Sequence, residues 1–144
     1  MNPELRMNIR LRWLESLFEL AHHEFQKKVW IEASIENYVS DFTEVVCTYF
    51  DDLNLKSGLE KFAKEGFITE MEVKIFLKFH KQFEEYVDKS EKKTLSDYKV
   101  LRDIEWVNLT KLAKENWIEL KGVLTDKTEI DYVIELENKY SNVT

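Results

Sequence analysis

A chain of 144 residues fits a single domain, 1–144, long enough to bury about two-thirds of the surface that its unfolded form exposes. A net charge of −7 supplies no basic footprint for a phosphate backbone and disfavours anionic lipid, so neither a nucleic-acid nor a membrane role is expected. One proline and three glycines beside 13% aromatic residues predict long helices around bulky anchors and exclude an unfolded, tail-like chain.

The first helix is expected from Pro3 or Glu4 to about Lys28, because Pro3 suits a first turn and Glu4 complements the helix dipole. Its apolar residues, among them Leu11, Trp13, Leu17, Phe18 and Phe25, cover about 200° of the helical wheel, wider than one contact stripe. Glu24 falls inside that arc with Lys28 one turn on, which predicts an ion pair between them. After a short break near 29–34, Ile31, Ile35, Tyr38, Phe42, Val45, Val46, Tyr49 and Leu53 share one face. That spacing predicts a long amphipathic helix ending near Leu55, the stretch around which the other helices would pack.

Ser57 with Glu60, and Thr69 with Glu72, each have capping-box spacing, and Gly66 supplies a left-handed stop between the helices they start. The helix after Thr69 should run to about Lys89 with Val73, Phe76, Phe79, Phe83 and Tyr86 inward and His80 among them. Residues 90–94 read as a charged connector. Ser96 or Asp97 then caps a helix to Lys121, stopped by Gly122, with Trp106, Leu109, Ala113 and Trp117 on its main face. Val100, Ile104, Val107 and Ile118 form a second stripe on that helix. A terminal helix from Thr128 to about Tyr140 completes the chain, and 141–144 should fray. The expected class is all-α: a helical bundle of about four long helices with one or two short ones.

Five residues are weak candidates for a metal. Glu19 and His22 have the i,i+3 spacing by which a carboxylate and an imidazole on one helix reach a single ion, with Glu24 nearby. Such chemistry needs a second motif, and neither His23 nor His80 follows a glutamate by three. His22 and His23 therefore read as surface histidines on a charged flank. His80 with Glu84 suits a base, a ligand or a pH sensor, but a core histidine bonded to Glu84 or a carbonyl is the preferred reading. Glu105 and Asn116 also point into apolar arcs and are expected at a helix boundary. Cys47, the only cysteine, cannot form an internal disulfide, which fits a reducing compartment, and its acidic neighbours make its thiol a poor nucleophile. The run Glu84 to Asp88 resembles the acidic signature of helical nucleotide pyrophosphohydrolases, yet the partner motif that would complete a magnesium site is missing.

No cofactor is implied. The first residues lack the apolar core of a signal peptide and no eighteen apolar residues run together, so a cytoplasmic location is expected. What remains is apolar surface beyond the needs of one bundle, carried by Leu11, Phe18, Val100, Ile104, Val107 and Ile118. Such surface predicts a non-enzymatic protein acting by association, with another protein or as a homodimer. The alternatives are a metal-dependent enzyme with a Glu/His site, or a small-molecule binder with an aromatic-lined void between the second, fourth and fifth helices.

Overall fold

In the computed structural model, which describes residues 1–140, the chain forms eight α-helices, with no strand among the described residues. The long helices are α1 (Pro3–Ala21), α5 (Glu70–Asp88), α7 (Ile104–Val123) and α8 (Lys127–Lys139). Between them lie α2 (His23–Trp30), α3 (Phe42–Cys47), α4 (Leu59–Lys64) and α6 (Asp97–Arg102). Helix α7 packs along both α1 and α5, and α8 closes against α1. The expected fray at 141–144 lies outside the described residues. No described helix is long and apolar enough to cross a membrane.

Several starts and stops follow local chemistry. The Asn2 side chain accepts from the Glu4 amide at 2.8 Å, with Pro3 in the first turn. Thr69 and Glu72 form the full capping box, and Gly66 takes the left-handed conformation at φ 87°. Ser57 does not cap as expected. It sits in a 3-10 turn (Leu55–Ser57), and α4 starts after Gly58, whose φ of 101° only glycine adopts without strain. Gly122 does not stop α7, which continues to Val123.

The first expected helix is two, broken at His22, whose backbone is extended. No glycine or proline causes the break; the side chains of Gln26 and His22 take up carbonyls that the helix leaves open. Buried Gln26 donates through Nε2 to the carbonyls of Glu19 at 2.9 Å and Leu20 at 3.2 Å, while its Oε1 accepts from the Trp106 indole at 2.9 Å. His22 Nδ1 donates to the Phe18 carbonyl at 2.7 Å. The expected helix from 96 to 121 breaks at Asp103 in the same way. Asp103 accepts from the Glu105 amide, from the Tyr86 hydroxyl and from Lys92, and His23 Nε2 donates to the Leu101 carbonyl just before the break.

The largest correction concerns 35–41, expected to be helical after the break and found as part of an irregular strap, 31–41, with Ala33 and Asn37 at positive φ. Helical structure resumes only with α3 and continues through a π-helical turn (Thr48–Asp52). Glu24 is exposed, and Lys28 pairs with Glu32 at 3.2 Å instead. Glu105 is exposed too, with ion pairs to Lys89 at 2.8 Å and Lys92 at 3.5 Å.

The core is a mesh of rings. Trp106 meets Trp30, Phe42, Phe83 and Tyr86, and Phe18 meets Phe25, Trp117 and Tyr140. The Trp106 group lies between the expected second, fourth and fifth helices. Beside the Trp13 ring sits a buried charge cluster. Arg10 on α1 grips Glu72 of α5 at 2.8 and 2.9 Å and Glu129 of α8 at 2.6 and 2.8 Å, and also donates to the Phe67 carbonyl. Fork geometry matched to two carboxylates lets a guanidinium lie in the interior with its donors used.

Candidate functional site

Glu19, in the last turn of α1, is 4% exposed and carries three hydrogen bonds. Its Oε2 accepts from the Trp30 indole at 2.8 Å and from the Ser40 hydroxyl at 2.8 Å, and its Oε1 accepts from the Tyr38 hydroxyl at 3.0 Å. This arrangement explains why the strap is not a helix. Residues two apart lie on roughly opposite sides of a helix but on one side of an extended chain. Tyr38 and Ser40 reach the same carboxylate, so the backbone between them is extended.

The strap, α1 and α3 enclose a cleft of about 320 Å³, at the small end of ligand-binding pockets. Arg12, Glu15, Ser16 and Glu19 line it from α1, residues 37–40 from the strap, and Glu44 and Val45 from α3. Ser16 is 5% exposed, and its hydroxyl has no hydrogen-bond partner among the described residues. A hydroxyl taken out of water without a partner costs about 1–3 kcal/mol, so this is an unusual group to leave beside a cleft.

Burial pushes the Glu19 carboxyl above its ordinary range, and the charge of Glu15 adds to the rise; the bonds from Trp30, Ser40 and Tyr38 pull it back. Burial, with Glu19 and Glu15 nearby, also raises the Tyr38 hydroxyl, which therefore stays a donor. Arg12 leans outward to Asp52 at 3.8 Å, both half exposed. The cleft thus holds more negative than positive groups.

The other expected site residues do not join it. His22 faces Phe18 and Trp117 rather than Glu19, and burial lowers it to about 4, leaving a neutral ring. It is buried, contrary to its reading as a surface histidine. His80 bonds Tyr49 at 2.7 Å across the core, not Glu84, and burial lowers it although the charges of Glu84 and Glu60 oppose the shift. Glu84 is partly exposed and Glu24 exposed. Among the described residues no three His, Cys, Asp or Glu side chains gather as a metal-ligating group, and the five metal candidates form no such group. Burial and four nearby acids push the Cys47 thiol up, away from the thiolate form.

No family model, curated protein or solved structure matches this chain.

The proposed interface residues also separate. Phe18 and Val100 are 1% and 0% exposed and belong to the core of the chain itself, which removes them from any interface. Leu11 and Val107 are partly buried, whereas Ile104 and Ile118 stand 67% and 56% exposed on α7. The cleft residues that sequence reasoning passed over are Ser16, Tyr38 and Ser40. Their one sequence signal is the pair of hydroxyls two apart just before Asp41, which caps α3 by accepting from the Glu44 amide at 2.7 Å.

Proposed function

We propose that this chain is a binding protein that holds a compact polar ligand in the cleft between α1, the strap and α3. The observation that carries the reading is the Ser16 hydroxyl, buried and unpartnered beside a carboxylate that three other groups hold in place. Fixed acceptors in a small recess bind without reorganising, which lowers the entropic cost of association. Catalysis is not supported by the same groups. Ser16 has no base hydrogen-bonded to it, and an unactivated hydroxyl is a weak nucleophile.

The Trp30 indole gives the test, because its N–H donates directly to Glu19. Small charged and neutral probes are titrated while the four indole N–H signals are followed by NMR. The expected result is a saturable shift at Trp30 with at least one probe, absent at Trp13 and Trp117, and weakened by Ser16→Ala. No saturable change at Trp30 with any probe overturns the reading.

A second reading, association through the outer face of α7, is favoured by Ile104 and Ile118. They lie 14 residues apart, about 21 Å along one side of the helix, with half-buried Val107 between. Sedimentation tests it. A dimer that Ile104→Glu with Ile118→Glu dissociates is the expected result, and a wild-type monomer at all concentrations rules it out.

A further inference from the structure

We infer that the group this cleft takes is a protonated primary amine, an inference that rests on the cleft being a binding site. The argument comes from counting acceptors. An ionised carboxylate offers about four acceptor positions, two on each oxygen. Oε2 of Glu19 already receives two donors, Trp30 and Ser40, while Oε1 receives only Tyr38 and keeps one position open. Beside it stand the unpartnered hydroxyl of Ser16 and the carboxylate of Glu15, which carries one long bond from Tyr132 at 3.3 Å. The recess therefore has spare acceptors from three side chains, and Glu44 adds a further negative charge at its edge.

An alkylammonium brings three donors, no acceptor and one positive charge on a compact head. Other ligands fit less well. A guanidinium prefers both oxygens of a carboxylate side by side, and Oε2 of Glu19 is fully occupied. An anion meets Glu15, Glu19 and Glu44, while Arg12 is turned toward Asp52. A divalent cation needs six or more oxygens or several ligating side chains, and no such group is assembled among the described residues. A neutral polyol could also meet the Ser16 hydroxyl, but it brings no positive charge to set against Glu15, Glu19 and Glu44.

The test uses the full chain and four probes at constant ionic strength: butylammonium chloride, methylguanidinium chloride, sodium acetate and glycerol. The Trp30 indole N–H and the amides of 38–40 report occupancy. Butylammonium is expected to shift them saturably, and the other three are not. Glu19→Gln should weaken butylammonium by about tenfold or more, the usual effect of losing a charged hydrogen-bond partner. Glu15→Gln, a change at a partly exposed position that leaves the buried bonds intact, should weaken it severalfold and keeps the test sound if Glu19→Gln does not fold. If acetate, glycerol or methylguanidinium moves the same signals and butylammonium does not, the cleft binds ligands but the amine assignment is wrong. If no probe moves them, both the assignment and the proposed function fail. Butylammonium binding unchanged by Glu15→Gln and Ser16→Ala also overturns the inference.

Discussion

Removing Arg10 should do more harm than removing any surface charge of this protein. Arg10, Glu72 and Glu129 are 3%, 3% and 2% exposed, and the guanidinium pairs with both carboxylates. In Arg10→Met the two buried acids lose the guanidinium that bonds them both. Breaking a buried ion pair from one side typically costs about 3–5 kcal/mol. Domains of this size are stable by about 5–15 kcal/mol, so that loss takes a large share of the total. At roughly 3–5 °C per kcal/mol, Tm should fall by about 10–25 °C. The variant Arg10→Met, Glu72→Gln, Glu129→Leu removes all three charges and keeps a capping residue at 72, since glutamine serves that position as well. It should regain most of the loss, because apolar replacements of whole buried charge clusters are often neutral or better. Urea and thermal melts of the wild type and the two variants decide the matter. A loss below about 1 kcal/mol for Arg10→Met, or a triple variant no more stable than the single one, refutes the reasoning about stranded charge.

Three further outcomes are expected. Burial lowers His22 from 6.5 to about 4, so the native state binds fewer protons than the unfolded chain in that range, and stability falls as pH drops through it. The loss approaches about 3 kcal/mol, and urea melts from pH 7 to 4 should show a flatter profile for His22→Asn. Glu19 acts in the opposite sense: its raised native pKa favours the folded state in acid, and the benefit fades as pH rises above 4.5 and through the native value. Glu15, Tyr38 and Glu44 surround it, and Glu19→Gln should flatten this limb with little loss at neutral pH, since the amide can turn its NH2 to the Tyr38 oxygen; a variant with the wild-type slope contradicts the assignment. Gln26→Leu strands the Trp106 indole and two α1 carbonyls, so chemical denaturation should show a loss of about 3 kcal/mol or more, and a near-neutral change would show that the glutamine does not hold the break.

What local chemistry specifies was legible in the sequence. The Thr69 box, the Gly66 stop and the inward face of α5 depend on neighbours within a turn or two, and each is found where the spacing places it. The breaks at His22 and Asp103 were not legible. The Gln26 and Asp103 side chains at these breaks are held from across the fold by Trp106, Tyr86 and Lys92, and no local rule links those positions. The strap misled for a different reason. Ile31, Ile35 and Tyr38 repeat with helical spacing, but Ile31 is 42% exposed and Tyr38 is turned toward a carboxylate nineteen residues away. A periodic pattern over so few residues carries less weight than one buried acid that needs donors. Glu19 itself was singled out from the sequence, for a metal and beside His22, yet its company is two hydroxyls and an indole.

The Arg10 cluster also sets an order of events. Glu129 follows Arg10 by 119 residues, so a chain growing from its amino end exposes the guanidinium long before α8 exists. Until then Arg10 has one acid where the finished protein has two, and part of its fork lacks a partner. A nascent chain halted before residue 129 should therefore remain loose and prone to protease, and locking should come late and all at once.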